Sequence, residues 1–317
     1  MKIKYFNLLK IGLGLFIIFI LVYSIGLKKI LNTFSDINLF PFAGVVLFYF
    51  LGFLTGALNL EILLRCINKN FGYLKLLKYY LLSWSVSLFL PGKVGEFSII
   101  YFMKNENIEL GEAVVISLMD KIITILSLLS FAVFGFFVFF SIYDAIKIIF
   151  IILIGFVLLL LFIMTNFGRS IIKKIFLRKY ASKFKGFSKT WFFYFRKRKK
   201  LLLLNYIITL IKWSFAFWMM YFLFLVFRWN VSFVNILLVV STVRLISLVP
   251  ITISGLGIRE MSAIYLFGKL ANPIPVNITA SVYLIVLLIN YLTAFVIVVF
   301  LKKKDILFKI TDKVSNS

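Results

Sequence analysis

The sequence has no histidine and only one cysteine, Cys66. An internal disulfide needs two thiols, and zinc, haem and iron–sulfur centres are held mainly by cysteine and histidine side chains. The chain therefore forms no internal disulfide, and we expect no metal centre of these kinds and no cofactor. Acidic residues are also scarce, with 11 Asp and Glu against 36 Lys and Arg, so each carboxylate can be considered individually.

Charged residues of both signs make up only 15% of the 317 residues, whereas 63% are hydrophobic and 19% are aromatic. Soluble domains contain about 25% charged and about 45–50% apolar residues. Apolar runs of about 20 residues, long enough to cross a hydrocarbon core, recur along the chain. We therefore expect a single integral membrane domain over residues 1–317, with no soluble catalytic domain.

The hydrophobic pattern predicts an all-α, polytopic bundle of about six full spans. Two further apolar regions, 74–104 and 234–270, are each interrupted by proline and glycine. A helix loses backbone hydrogen bonds at such a sequence, and inside a bilayer protein or cavity water must replace them. Both regions are therefore predicted to be re-entrant or broken helices. The six full spans are expected at about 8–27, 41–63, 113–140, 147–165, 201–227 and 277–301.

The net charge of +25 is distributed unevenly between the predicted loops. The loop 166–200 carries thirteen Lys or Arg and no acid, and five lysines follow residue 301. Cytoplasmic loops carry excess basic residues because such segments resist translocation. We therefore expect a cell-membrane protein with both termini and the loop 166–200 in the cytoplasm. This bias accounts for the positive charge, so we do not expect nucleic-acid binding. We expect the loop 166–200 to contact anionic lipid or a soluble partner.

The two interrupted regions resemble each other. Pro91 and Pro250 lie 159 positions apart, half the length of the chain, and each is followed by glycines and a glutamate, Glu96 or Glu260. With the charge-derived orientation, the first region enters the membrane from the cytoplasm and the second from outside. The sequence thus predicts an inverted-topology repeat with halves of roughly 1–145 and 146–317, an arrangement common in secondary transporters.

Several charged residues fall inside the predicted membrane region, where they should be paired or line a wet cavity. Glu96 and Glu260 follow the glycine breaks, so they either cap the restarting helices or face a polar pocket for a lipid phosphate. Lys212 is interpreted as a residue whose amine reaches the cytoplasmic interface. The candidate headgroup-binding residues are Pro91, Gly92, Lys93, Gly95, Glu96, Asp120, Lys121, Arg244, Gly255, Gly257, Arg259 and Glu260; no catalytic residue or metal ligand is assigned.

The motif Pro91-Gly92-Lys93-Val94-Gly95-Glu96 resembles the Pro-Gly-x-x-Gly-Glu motif of the lysylphosphatidylglycerol synthase transmembrane region, a flippase-like family of integral membrane proteins. Gly255-Leu256-Gly257-Ile258-Arg259-Glu260 resembles the family's Gly-Leu-Gly-x-Arg-Glu signature, and Asp120-Lys121 lies where the family commonly has an acidic–basic pair. The chain departs from the family at Ile99, where an arginine is frequent, and at Thr124, where an acid is frequent.

The resemblance implies translocation of a lipid or lipid-linked headgroup, such as an anionic phospholipid or a polyprenyl phosphate. It does not imply lysine transfer to lipid, because the chain lacks the soluble aminoacyl-transferase domain of the synthases. Two alternatives stay open. One is an integral membrane enzyme acting on a lipid phosphate, and the other is a non-catalytic membrane subunit that docks a soluble partner on the loop 166–200.

Overall fold

The computed structural model describes residues 12, 16–35, 37–90, 94–165, 186–248, 252 and 254–301. Within these ranges every regular element is a helix, which confirms the predicted all-α class. The first half contains α1 (Phe16–Ile25), α2 (Leu27–Ser35), α3 (Phe42–Cys66), α4 (Tyr73–Ser87), a 3₁₀ helix (Val94–Ser98), α5 (Ile99–Asn105) and α6 (Leu110–Phe139). The second half contains α7 (Ile142–Met164), α8 (Phe187–Lys197), α9 (Lys199–Val226), α10 (Phe233–Ile246), α11 (Ile258–Gly268) and α12 (Val276–Leu301).

Four helices, α3, α6, α9 and α12, are long and apolar enough to cross a membrane. α1 and α2 pass the same test as a pair, but they are bent by 75° at Gly26, whose φ of +88° favours glycine. α7 covers all but the last residue of the predicted span 147–165, and the start of the predicted span 8–27 lies mostly outside the described residues. The chain therefore crosses the membrane several times, while the number of six full spans stays a prediction.

The two interrupted regions are each divided into shorter helices, as the sequence predicts. α4 and α5 divide the first region, and α10 and α11 divide the second. α10 begins 160 residues after α4 begins and ends 159 residues after α4 ends. The matching bounds agree with a repeat, although the inversion of the two halves stays a prediction.

The helices pack across the boundary between the halves. α3 lies along α9, α4 packs against α12, and α6 packs against α10. Gly135 of α6 permits the last of these approaches, since a Cβ there would lie 2.9 Å from the Leu238 carbonyl oxygen. Tyr291 of α12 donates a hydrogen bond of 3.3 Å to the Leu88 carbonyl oxygen after α4. The first helix of each interrupted region therefore contacts the last long helix of the other half.

α8 represents the described end of the basic loop, because residues 166–185 lie outside the described residues. It buries Trp191 and Tyr194, and the Tyr194 hydroxyl donates a hydrogen bond of 2.6 Å to the Leu63 carbonyl oxygen of α3. Arg196 and Lys197 remain exposed. One face of α8 is thus attached to the bundle, while its cations face outward, as expected for an interfacial segment.

Candidate functional site

The first break places the chain so close to α4 that only glycine fits. α4 ends at Ser87, and the chain resumes with the 3₁₀ helix Val94–Ser98. A Cβ at Gly95 would lie 2.5 Å from the Ser87 Cα and 2.6 Å from the Ser87 nitrogen. Because these atoms belong to the backbone, they cannot move aside as a flexible side chain can. Gly95 therefore holds the 3₁₀ helix against the end of α4.

The second break repeats this contact with different backbone angles. A Cβ at Gly255 would lie 2.8 Å from the Ser247 Cβ, and Gly255 and Gly257 have φ of +74° and +81°. The serines also behave alike, since each hydroxyl donates to the carbonyl oxygen three residues earlier. The distances are 2.6 Å for Ser87 and 2.8 Å for Ser247. Both breaks thus fold back on the C-terminus of the preceding helix.

The charges of the first break are paired between two elements. Lys121 of α6 donates hydrogen bonds to the carboxylates of Glu96, in the 3₁₀ helix, and Asp120. The Lys121–Asp120 distance is 2.7 Å, and Asp120 is buried. A lysine between two carboxylates leaves one net negative charge in this cluster. The ion pair connects the break to α6, which is a different helix.

The charges of the second break are paired within one helix turn. Glu260 accepts a hydrogen bond of 2.7 Å from the Gly257 backbone N–H at the start of α11. Its other oxygen accepts from the Arg259 guanidinium at 2.7 Å and 3.0 Å. Both side chains are buried, and the guanidinium carbon lies 6.0 Å from the Tyr283 ring centroid. Glu260 therefore caps α11, which is the structural alternative that the sequence left open for this residue.

A cavity of about 400 Å³ lies between the two breaks. Elements of both halves line it, including α3, α4, the 3₁₀ helix and α6 from the first and α9 to α12 from the second. Its lining is largely apolar and aromatic. The charged lining residues are Glu96, Asp120, Lys121, Lys212, Arg244 and Arg259. Four cations and two carboxylates give this lining a net charge of +2.

Two of these cations face the same indole ring. The Lys212 Nζ lies 5.7 Å from the Trp213 ring centroid, and the Arg244 guanidinium carbon lies 5.8 Å from it. Both distances are within the range of a cation–π contact. Neither cation forms a salt bridge with any described residue.

Uncharged polar groups complete the cavity wall. The Tyr49 hydroxyl donates a hydrogen bond of 3.0 Å to the Asn290 side-chain oxygen, joining α3 to α12. Thr124, Ser247 and Ser254 also line the cavity. These groups can donate or accept hydrogen bonds, so the cavity offers neutral polar contacts as well as charge.

The candidate residues from the sequence fall into three groups. Five of them line the cavity: Glu96, Asp120, Lys121, Arg244 and Arg259. Four shape the breaks or hold a lining residue: Gly95, Gly255, Gly257 and Glu260. Pro91, Gly92 and Lys93, together with Pro250, lie outside the described residues.

The interpretation of Lys212 as an interfacial residue is wrong. Lys212 is the fourteenth of the 28 residues of α9, so about 20 Å of helix separates it from either end. That distance is too great for a lysine side chain to reach the interface, and the amine instead meets the cavity. Placing the helix ends more carefully in the sequence would have identified this position as a charge at mid-span. Trp213, Tyr49 and Asn290 have no comparable signal, because aromatic and amide residues are common throughout the chain.

Comparison with known proteins gives one assignment. The family model described as "Lysylphosphatidylglycerol synthase TM region" matches residues 7–301, which include both breaks and every cavity-lining residue. No curated protein matches the chain. The family and the apolar helices together show a multi-pass membrane protein of lipid metabolism or translocation. The chain belongs to the family of the lysylphosphatidylglycerol synthase transmembrane region.

Proposed function

We propose that this protein is a lipid translocator of the cell membrane, which passes a lipid headgroup between leaflets through the cavity between the two breaks. The observation that carries the proposal is the shared cavity, which is lined by Glu96 of the first break and Arg259 of the second. Its volume of about 400 Å³ falls within the range of about 300–1,000 Å³ that is usual for small-ligand sites.

The chemistry of the cavity supports a headgroup rather than an acyl chain as its occupant. Charges within a membrane domain are costly, and they are retained where they pair or line a polar path. Here six charged side chains meet in one cavity. A polar headgroup needs such a path to cross the hydrocarbon core, whereas an acyl chain can remain in the surrounding lipid.

The packing of the halves supports alternating access. α4 contacts α12 and α6 contacts α10, so each interrupted region lies between its own half and the other. In an inverted repeat, the two halves can exchange conformations and open a central site to each side in turn. The halves 1–145 and 146–317 are proposed to move in this way, with both termini in the cytoplasm.

Leaflet exchange in liposomes tests translocation. Purified protein is reconstituted, and exchange of labelled phospholipids and polyprenyl phosphates is compared with that in protein-free vesicles. We expect faster exchange for at least one lipid class, and slower exchange in Glu96→Gln and Glu260→Gln proteins that remain folded. Exchange no faster than in empty vesicles across the lipid panel contradicts the proposal. If both variants match wild type, the site assignment is wrong even where translocation is real.

Cysteine labelling tests the inverted orientation separately. Asn105 ends α5, Asn272 follows α11, and both are exposed, so they form a matched pair for Asn→Cys substitution in a Cys66→Ser protein. A membrane-impermeant maleimide should label position 105 only from the cytoplasmic side and position 272 only from outside. Labelling of both positions from the same side contradicts the inversion.

A further inference from the structure

The carboxylates beside the cavity already have cationic partners. Glu96 and Asp120 are both hydrogen-bonded to Lys121, and Glu260 is hydrogen-bonded to Arg259 behind the wall. The three carboxylates and two cations of these clusters carry one net negative charge. The excess positive charge of the cavity lining therefore lies on other residues.

The remaining charge belongs to Lys212 and Arg244. Both line the cavity, and no described carboxylate forms a salt bridge with either of them. Lys212 belongs to α9 and Arg244 to α10, and the charged group of each lies within 6 Å of the Trp213 ring centroid. Aromatic contact compensates a buried cation only partly, because a cation–π interaction is weaker than a charge-assisted hydrogen bond.

We propose that Lys212, Trp213 and Arg244 form a subsite for the phosphate of a lipid whose headgroup is net anionic. The inference rests on the proposed function and gives it a substrate class. An arginine supplies a planar fork of donors and a lysine supplies a mobile point charge, and both suit phosphate oxygens. The Trp213 ring keeps the two cations at one place in the wall.

The same charges disfavour a net cationic headgroup. A cation entering the cavity meets a lining of net charge +2, in which Lys212 and Arg244 form no salt bridge with a described carboxylate, while the carboxylates are already bonded to Lys121 or Arg259. A zwitterionic headgroup supplies a phosphate but adds a positive charge of its own. The preferred order is therefore anionic lipid first, then zwitterionic lipid, then cationic lipid.

The position of Arg244 connects the subsite to the second break. The Arg244 carbonyl oxygen accepts a hydrogen bond of 2.8 Å from Ser247, which is the residue that Gly255 approaches. Arg244 thus lies on the last turn of α10 before the break, whereas Lys212 lies at the middle of a continuous helix. A displacement of the second break would change the spacing of the two cations and hence the affinity for phosphate.

Binding in detergent tests the subsite without requiring transport. Tryptophan fluorescence of the full chain is titrated with dihexanoyl phosphatidic acid, phosphatidylglycerol, phosphatidylcholine and inorganic phosphate, and the Trp213→Phe protein identifies the signal from this ring. We expect the two anionic lipids to bind at least about tenfold more tightly than phosphatidylcholine, because the choline cation is repelled by the net positive charge of the cavity lining. Lys212→Gln and Arg244→Gln should each weaken anionic lipid binding by about tenfold or more.

Matched controls separate the local charge from the overall charge. Lys269 also lies over an aromatic ring, 4.7 Å from the Tyr265 centroid, but it is exposed and outside the cavity lining. Lys269→Gln therefore removes the same charge and should leave lipid binding unchanged. Arg244→Lys keeps the charge and should retain the anionic preference if Arg244→Gln fails to fold.

The outcomes distinguish the subsite from translocation. Equal binding of phosphatidylcholine and phosphatidylglycerol, or unchanged binding in the folded Lys212→Gln protein, overturns the subsite. Inorganic phosphate that binds as tightly as the anionic lipids overturns its assignment to a lipid. Selective anionic binding without leaflet exchange retains the subsite and overturns translocation, whereas leaflet exchange that ignores headgroup charge does the reverse.

Discussion

The two breaks share a sequence pattern and a close approach of a glycine to the preceding serine, but their glutamates are held differently. Glu96 is bonded to Lys121, which belongs to another helix, whereas Glu260 is bonded to Gly257 and Arg259 of its own helix turn. Burial differs as well. The side chains of Glu96 and Lys121 are 21% and 28% exposed, against 3% and 10% for Glu260 and Arg259.

This difference means that a movement of the first break against α6 changes its ion pair, whereas a movement of α11 leaves the second ion pair unchanged. If the first break moves against α6, the Glu96–Lys121 pair must change, because its members lie on both moving parts. α11 can move as a unit and keep the Glu260–Arg259 pair intact. We infer that the first break has the polar contact that would open during the proposed transport, while the second has a preorganised turn that presents Arg259 to the cavity.

The largest expected effect comes from removing one charge of the buried Arg259–Glu260 pair. Glu260→Gln leaves the Arg259 cation buried without its counter-charge, which costs about 3–5 kcal/mol of unfolding free energy. Glu96→Gln should cost clearly less, because Lys121 keeps Asp120 as a partner and is more exposed. Thermal unfolding in detergent measures both variants.

A double variant checks the cause of that loss. Arg259→Gln combined with Glu260→Gln removes both charges, so it should be less destabilised than either single variant. If Glu96→Gln proves as damaging as Glu260→Gln, the contrast between the two breaks is wrong.

The glycine contacts give the next largest effect and test what the breaks share. Gly95→Ala and Gly255→Ala each place a methyl group under 3.0 Å from the preceding serine, which should cost about 1–3 kcal/mol. Gly255→Ala carries additional strain from its φ of +74°. Gly155→Ala in α7 is the control, since nothing lies within 4 Å of the added Cβ. A neutral result at either break would show that the breaks are not equivalent.

The sequence predicted more of the fold than of the site. Apolar run length located the long helices, and the Pro-Gly-Glu pattern located both interrupted regions, because each feature is local in the chain. The cavity depends on contacts between residues that are far apart in the chain, such as Tyr49 and Asn290. No local pattern in a single sequence predicts such contacts. The prediction for Lys212 is wrong because a lysine is compatible both with the membrane interface and with a polar cavity. Its depth in the bundle, which decides between them, depends on where α9 begins and ends.

The residues that follow α5 and α11 also differ, and this difference should make the stability of the first region depend on pH. Glu106 follows α5 and accepts hydrogen bonds of 2.6 Å from both Lys75 and Tyr79, and these bonds hold its pKa below the ordinary value of 4.5. The residue that follows α11 is Lys269, so this position of the second region holds no carboxylate.

Because the folded pKa of Glu106 is lowered, its stabilisation is complete above about pH 4.5 and is lost as the pH falls through the folded value. Glu106→Gln should therefore lower the unfolding free energy by about 1 kcal/mol near pH 7, and the difference from wild type should vanish in acid. Melting temperatures measured across that range test this. A difference that is independent of pH would contradict the ionic contribution.

The smallest expected effect isolates burial as the cause of the largest. Glu61 and Arg65 of α3 form an ion pair at 2.7 Å, the same distance as Arg259 and Glu260, but the Arg65 side chain is 60% exposed. Glu61→Gln should cost only about 0.3–0.5 kcal/mol, because the Arg65 guanidinium that loses its partner is exposed and already solvated by water. Thermal unfolding measured beside Glu260→Gln compares two pairs that have the same shortest N–O distance. If the two losses were equal, distance rather than desolvation would govern these pairs, and the distinction between a preorganised second break and a movable first break would lose its physical basis.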